Sequence, residues 1–163
     1  MPEADSTASP PGLRRDLPDL GATEALAAEL AALARPGDAI LLDGPFGAGK
    51  TAFSRAFLRA ATGDPGLEVP SPSFTIVQAY DTRLGPVHHF DLWRLGGPAA
   101  LTEIGWDEAR AGVVLVEWPQ RLGPRRPPEA LELTLWLLEG DARRAVLTGW
   151  PDRLASLAQG RPA

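Results

Sequence analysis

Residues 44–51 constrain this chain more than any other part of its sequence. They read GPFGAGKT and fit G-x-x-x-x-G-K-[ST], the pattern of a phosphate-binding loop, at every position. An apolar run at 39–42 precedes the loop, and residues 50–61 follow it with apolar side chains at helical spacing. A strand, a glycine loop and a helix in that order are the context in which this pattern binds nucleotide phosphates. The alternative is a glycine-rich turn that only joins a strand to a helix.

The residue types in the loop suit a triphosphate. Its glycines adopt backbone angles barred to other residues, so that main-chain N–H groups and the helix dipole face an anion. We expect Lys50 to contact the β- and γ-phosphates and Thr51 to hold Mg²⁺. Lys50 is the only lysine among 16 basic residues, which supports a role that the bulkier arginine head does not fill. The expected nucleotide contacts are Gly44, Pro45, Phe46, Gly47, Ala48, Gly49, Lys50 and Thr51.

Composition excludes several other classes of protein. A net charge of -5 argues against a general nucleic-acid binder, and the absence of cysteine excludes disulfides and thiolate chemistry. No apolar run reaches the roughly 18 residues of a membrane helix, so we expect a cytoplasmic protein without membrane contact. Residues 1–16, rich in proline, serine and acid, are expected to be a disordered lead-in. Residues 17–158 are predicted to form a single domain, and residues 159–163 a tail.

The remaining patterns predict an α/β fold. Four branched apolar residues at 113–116 are typical of a strand buried on both faces, and the β-rich runs 74–80 and 87–92 predict a hairpin. Alternation at 131–138 indicates an antiparallel strand. Weaker signals predict a strand at 144–148 and helices at 23–34, 98–109 and 151–158. Together they predict a P-loop NTPase-like three-layer sandwich with a mixed, partly parallel sheet.

Two acids are expected to complete the site. Glu117 ends the buried strand, where a carboxylate holds Mg²⁺ directly or through water, unless it is only a surface acid. Asp91 orients the attacking water, holds the metal through water, or is an edge carboxylate paired with Arg94. His88 and His89 point to opposite faces of a strand, and no zinc site is expected. Trp118 is either core packing or a platform beside the nucleotide, and residues 71–75 are either a segment that senses the γ-phosphate or an ordinary loop.

Four motifs in this order resemble one family. They are residues 44–51, Ser-Pro-Ser-Phe-Thr at 71–75, His-Phe-Asp-Leu-Trp-Arg-Leu at 89–95 and Val-Glu-Trp-Pro-Gln at 116–120. The chain is similar to the bacterial TsaE proteins from about residue 17 to residue 148. These are small P-loop ATPases needed to make threonylcarbamoyladenosine beside the anticodon of tRNA. Trp93, His88, Ser73, Ala52 and the pair at 45–46 depart from the usual family pattern, but none removes a group that the phosphate chemistry requires.

The resemblance implies roles for individual residues and partners. Lys50, Asp91 and Glu117 are expected to be catalytic, with ATP and Mg²⁺ as cofactors and Thr51 and Glu117 as the metal ligands. Trp118 is expected to contact the nucleotide, together with Thr23 and Arg144, whose assignments depend on the resemblance alone. The family implies an ATP-driven accessory of the TsaD–TsaB pair, which transfers the modification to tRNA, so tRNA is expected to be met only through that complex.

Three functions compete. The first is an ATPase, slow alone and faster with a partner, because no residue except Arg94 is a candidate transition-state arginine. The second is a nucleotide-gated assembly module whose turnover is incidental. The third is a small metabolite kinase, with Arg121, Arg125 and Arg126 as a closing lid. A GTPase is not expected, since the chain has no asparagine and no second lysine for the guanine-reading motif.

Overall fold

A computed structural model of the chain describes residues 12–71 and 76–159. Seven strands form one sheet in the order β1-β7-β6-β2-β5-β4-β3. The strands are β1 (Leu13–Leu17), β2 (Ala39–Asp43), β3 (Val77–Thr82), β4 (Gly85–Asp91), β5 (Val113–Glu117), β6 (Leu131–Leu137) and β7 (Arg143–Thr148). The helices are α1 (Leu20–Leu33), α2 (Lys50–Thr62), α3 (Trp106–Ala109) and α4 (Pro151–Gln159), and two 3₁₀ helices span Pro98–Ile104 and Pro119–Arg125.

The sheet is parallel at its centre and antiparallel towards its edges. Strand β2 runs parallel to both β5 and β6, and β4 runs parallel to β5. The pairs β3–β4, β6–β7 and β1–β7 are antiparallel. The predicted mixed, partly parallel sheet is therefore confirmed. Strand β6 was expected to be antiparallel, and it is so only towards β7, because it joins β2 in the parallel direction.

Alternating side chains of β2 divide the apolar core into two layers. Ile40 and Leu42 pack with α1, α2 and α4 on one face of the sheet. Ala39 and Leu41 pack on the other face with α3 and the 3₁₀ helices. Strand β2 is covered on both sides, which explains why its sequence is a continuous apolar run rather than an alternation. The result is the three-layer α/β arrangement of P-loop NTPases.

Local chemistry sets the ends of the helices around the loop. Helix α1 begins at Leu20, earlier than predicted, because the Asp19 carboxylate accepts a hydrogen bond of 2.9 Å from the Ala22 N–H. Helix α2 begins after Gly49 and ends at Thr62, and the N–H of the capping residue Gly63 bonds back to the Arg59 carbonyl. The predicted helix at 98–109 is broken at Gly105, whose left-handed φ of 84° separates a 3₁₀ helix from α3.

The predicted lead-in extends too far into the chain. Residues 13–16 belong to strand β1, which pairs with β7 from Leu13 opposite Leu147 to Leu17 opposite Arg143. Leu17 is fully buried in the core. The rest of the lead-in, residues 1–11, lies outside the described residues, as do residues 160–163 of the predicted tail. Gln159, the first residue of that tail, is the last residue of α4. Over the described ranges, no helix is long and apolar enough to span a membrane.

Candidate functional site

Three neighbouring parallel strands end at the same edge of the sheet and carry the site. The register places Leu42 of β2 opposite Glu117 of β5, and Glu117 opposite Asp91 of β4. The glycine loop leaves β2 at this edge, so the sheet register itself brings the two predicted acids to the loop. They border a cleft of about 320 Å³, whose lining residues are Phe46, Gly47, Gly49, Lys50, Thr51, Ala52, Ser71, Asp91, Glu117 and Trp118.

The loop requires glycine at its first position for two reasons. Gly44 has a φ of 144°, and a Cβ built on it would lie 2.6 Å from the Leu135 carbonyl oxygen of β6. Gly47, by contrast, has a φ of 85° and open space around it. Ala48 is buried beneath the loop, whereas Pro45 and Phe46 lie at its exposed tip. Phe46 is 90% exposed, which leaves its ring free to contact a ligand or another molecule.

The Lys50 side chain crosses the mouth of the loop. Its ammonium donates a hydrogen bond of 2.6 Å to the Gly44 carbonyl and lies 3.6 Å from the centre of the Trp118 ring. Burial lowers the pKa of Lys50, while the negative charges of Glu117, Asp43 and Asp91 oppose that shift. The amine is thus a desolvated cation surrounded by acids.

Side chains from β5, α2 and β4 meet at the Glu117 carboxylate. Its side chain is only 4% exposed. The Thr51 hydroxyl of α2 lies 3.1 Å from each of its two carboxylate oxygens, and the His89 Nε2 of β4 lies 2.7 Å from Oε2. The contact with Thr51 brings together the two predicted metal ligands, which are 66 residues apart in sequence. Sequence analysis missed the contact with His89, since nothing local in the sequence indicates which residue of β4 faces Glu117.

Asp91 and the aromatic residues form the outer side of the cleft. Asp91 is 9% exposed, and its carboxylate accepts a hydrogen bond of 3.1 Å from the Trp93 N–H. Trp118 adopts left-handed backbone angles (φ 60°, ψ 55°), unusual for a bulky residue, and its ring lies 4.5 Å from that of Trp93. Trp93 is 53% exposed. These residues and Phe46 line a second cleft of about 310 Å³ next to the first.

On the other flank of the loop, the structure corrects one predicted residue. Thr23 of α1 lies beside Ala48 and Gly49 in a cleft of about 200 Å³, and its contact with the nucleotide stays a prediction. Arg144 does not reach this cleft, because it lies on the opposite face of β7 and pairs with Asp16 at 2.8 Å. Arg143 lies at the loop instead.

Because side chains alternate between the two faces of a strand, Arg143 lies at the loop and Arg144, the residue assigned there from the sequence, lies on the other face. Arg143 shares its face of β7 with the core residues Ala145 and Leu147. Its guanidinium donates to the carbonyls of Gly47 and Ala48 at 3.3 and 3.2 Å. Position along the strand decides the face, and an error of one residue in the sequence assignment moves the side chain to the far side of the sheet.

Two other predicted features have different outcomes. Residues 72–75 of the predicted sensing segment lie outside the described residues, while Ser71 lines the main cleft.

The three arginines of the predicted lid are each engaged with the domain: Arg121 donates to the Leu95 carbonyl at 3.1 Å, Arg125 pairs with Asp107, and Arg126 pairs with Glu132 at 3.3 Å. These contacts hold the segment against the protein and favour a structural loop over a lid.

The fold and the site define a class of protein. A strand, a glycine loop and a helix at the parallel edge of a mixed sheet, with an acid at the end of the adjacent strand, constitute a P-loop NTPase-like fold, which suggests nucleotide binding. A crystal structure of Bacillus subtilis YdiB is similar to this chain, with a TM-score of 0.72 and 31% identity, and the match covers 91% of this chain and 93% of that one.

Sequence comparisons assign the family. The family model described as threonylcarbamoyl adenosine biosynthesis protein TsaE matches residues 17–146, and the chain belongs to this family. Among relatives named tRNA threonylcarbamoyladenosine biosynthesis protein TsaE, that of Bacillus subtilis is 33% identical over 84% of this chain and 85% of its own length. The Rickettsia felis relative is 35% identical over 74% and 71%. The Synechocystis relative is 39% identical over 69% and 73%.

Proposed function

We propose that this protein binds ATP with Mg²⁺ and hydrolyses it to ADP and phosphate in the biosynthesis of threonylcarbamoyladenosine on tRNA. It acts on a TsaD–TsaB complex in the cytoplasm and meets tRNA through that complex. Membership of the TsaE family supports the pathway. The observation that carries the proposed activity is the contact of the Thr51 hydroxyl with both oxygens of Glu117, at 3.1 Å each, beside the ammonium of Lys50.

The donor set fits magnesium. Within residues 12–71 and 76–159, no group of three or more histidine, cysteine, aspartate or glutamate side chains forms a metal cluster. Thr51 and Glu117 offer instead a hydroxyl and one carboxylate, both hard oxygen donors. Mg²⁺ typically takes one or two such protein ligands and fills its shell with phosphate oxygens and water. When bound, the ion neutralises charge on the β- and γ-phosphates.

The protein's own groups then have separate roles in the proposed reaction. The amides of the loop and the α2 dipole hold the phosphates, and the Lys50 ammonium exchanges the Gly44 carbonyl for phosphate oxygens. Asp91 orients a water molecule, whose oxygen bonds to the γ-phosphorus as the bond from that phosphorus to the β-phosphate oxygen breaks. The proton of the water goes to the released phosphate, and ADP leaves. Arg143, which reaches the loop, already donates to the carbonyls of Gly47 and Ala48, so we do not expect it to neutralise charge on the γ-phosphate. We therefore expect slow hydrolysis alone and faster hydrolysis with a partner.

Phosphate release is the direct test of the proposed ATPase. The wild-type protein should turn over ATP slowly alone and faster once the TsaD–TsaB complex is added. Glu117→Ala should still bind ATP but lose hydrolysis in both conditions. Arg144→Ala, on the far face of the sheet, should behave as the wild type. Equal rates with and without the complex would contradict the partner dependence, and absence of nucleotide binding would contradict the proposal as a whole.

An assembly module is the second candidate, and the exposed rings of Phe46 and Trp93 at the mouth of the cleft favour it. In that case nucleotide binding controls a contact with the partner and hydrolysis is incidental. Reconstituted tRNA modification with Glu117→Ala separates the two functions. Full modification by this variant over repeated cycles supports the module, whereas a single round of modification supports the ATPase.

A further inference from the structure

The Glu117 carboxylate is held from two directions. Its side chain is almost fully buried, and a buried carboxylate needs hydrogen-bond donors to remain an anion. Thr51 donates from helix α2, which carries the loop, and His89 approaches from the neighbouring strand β4. The Thr51 oxygen is itself a proposed metal ligand. His89 is therefore the contact to Glu117 that is not shared with the metal.

His89 is placed for this contact by the sheet register. It lies opposite Leu115, two residues before the end of β5, so its side chain and that of Glu117 share one face of adjacent parallel strands. The distance of 2.7 Å between His89 Nε2 and Glu117 Oε2 is that of a strong hydrogen bond to a charged acceptor.

The other ring nitrogen of His89 shows that the imidazole is not there for packing alone. The side chain is 0% exposed, and its Nδ1 has no hydrogen-bond partner among the described residues. An apolar residue at this position would leave no polar atom unsatisfied. The presence of an imidazole at this position is explained if its hydrogen bond to Glu117 is needed.

We propose that His89 is a positioning residue for the magnesium site, a role that rests on the proposed function. The Nε2–H of its imidazole donates a hydrogen bond to Glu117 Oε2. This bond fixes the rotation of the carboxylate and keeps it directed at the metal when the Thr51 oxygen turns to the same ion. Ligating carboxylates in proteins are commonly oriented by such hydrogen bonds.

Metal affinity, measured apart from nucleotide affinity, tests this role. His89→Leu removes the donor at similar volume, and His89→Gln keeps an N–H at the same number of bonds from Cα. Mn²⁺ and Mg²⁺ titrations with saturating ADP, followed by electron paramagnetic resonance and calorimetry, should show metal affinity about 10- to 100-fold weaker in His89→Leu. We expect His89→Gln to stay within about threefold of the wild type. ADP affinity in EDTA should stay the same in all variants.

His88 is the matched control, since it is the adjacent histidine on the opposite face of β4 and stacks on Phe90. His88→Leu should alter neither affinity. Unchanged metal affinity in His89→Leu would overturn the positioning role and leave the ATPase proposal intact. An equal loss in His89→Gln would overturn it too, because the N–H would not be what matters. Absence of any metal uptake by the wild type with ADP would overturn both proposals.

A measurement on the wild-type protein avoids the effects of substitution on folding. Nitrogen-15 correlation spectra of the imidazole should show a proton on Nε2. A proton on Nδ1 instead would place a lone pair against the Glu117 carboxylate and exclude the proposed bond.

Discussion

Lys50 combines burial with the charge that binding requires. The residue is 5% exposed, burial lowers the pKa of its amine, and three acids oppose that shift. Phosphates bind the protonated form, so the affinity for nucleotide is full at pH values below the lowered pKa and is lost as the pH rises through it. The charge that grips the nucleotide is therefore more sensitive to alkali than that of an exposed lysine.

The first prediction follows from the lowered pKa of Lys50, whose charge is lost as the pH rises. As the pH is raised, ADP affinity measured by calorimetry should begin to fall below the ordinary pKa of lysine, near 10.4, because burial lowers the pKa of Lys50. Lys50→Met should bind weakly and show little change over the same range. An affinity that falls only around the ordinary pKa of lysine would mean that the ammonium is not desolvated.

The second prediction separates two reasons for glycine in the loop: lack of space for a Cβ and a positive φ. Gly44→Ala should destabilise the protein by about 3 kcal/mol or more for two reasons. The new Cβ would lie 2.6 Å from the Leu135 carbonyl oxygen, and alanine rarely adopts the positive φ of this position. Gly47→Ala should cost about 1 kcal/mol, since only its φ of 85° is unfavourable. Urea unfolding of both variants measures the difference, and equal costs would show that the loop moves away from β6 freely.

Strand β1 shows why some elements escape sequence analysis. Its residues, Leu-Arg-Arg-Asp-Leu, include three charges and give no apolar alternation beyond the two leucines. The strand exists because β7 offers an open edge with which it pairs and a core that buries Leu17. Long-range pairing thus overrides a weak local preference.

The third prediction tests that pairing. Leu17→Ala should lower the free energy of unfolding by about 2 to 5 kcal/mol, as expected for a fully buried leucine. Leu13→Ala, at the half-buried start of the same strand, should cost about 1 kcal/mol. Urea denaturation of both variants gives the comparison. A small effect at Leu17 would mean that β1 detaches from the sheet at little cost.

The parts of the site that sequence predicted are those fixed by local pattern. The loop from Gly44 to Thr51 and the acid at the end of a buried strand are each encoded within a few neighbouring residues. The contact of His89 with Glu117 and the facing of Arg143 depend on strand register and turn length, which a single sequence does not display. The broken helix at Gly105 was missed for a similar reason, since one left-handed glycine divides an otherwise helical pattern.

The turn between β6 and β7 carries the fourth prediction. Arg143, the first residue of β7 after this turn, connects it to the loop through hydrogen bonds to the Gly47 and Ala48 carbonyls. Arg143→Ala should weaken ADP binding by about tenfold, as the loss of one or two bonds of about 1.4 kcal/mol in total implies. Arg144→Ala is the matched control and should leave binding unchanged. Fluorescence or calorimetric titration distinguishes them, and the reverse ranking would restore the assignment made from sequence.

Across the whole molecule, one sheet gathers the site from distant parts of the chain. Strands β2, β5 and β4 supply the loop, Glu117 and Asp91, while helices α1 and α2 pack together on the face beside them. Binding at their common edge therefore connects the central strands to α2, and its free energy adds to the stability of the whole domain.

The fifth prediction measures this coupling. At a concentration one hundred times its Kd, ADP with Mg²⁺ should stabilise the protein by about 2.7 kcal/mol. For a domain of this size, the melting temperature should rise by roughly 5 to 10 °C. Glu117→Gln should lose the part of the rise that EDTA also removes, and Lys50→Met should lose the whole rise. A rise independent of both residues would place the ligand elsewhere.

Lys50 is the sole lysine of the sequence and lies at the mouth of the loop, so a lysine-directed reagent would modify the protein at the binding site alone. An acyl-phosphate derivative of ATP would find one ε-amine to acylate, so covalent labelling would report occupancy of the site without any engineered tag. Cleavage by a lysine-specific protease has a single target at the same place. Because Lys50 is buried in the folded protein, cleavage needs the fold to open, and a bound ligand should slow it by stabilising the folded state. The yield of two fragments would then report occupancy.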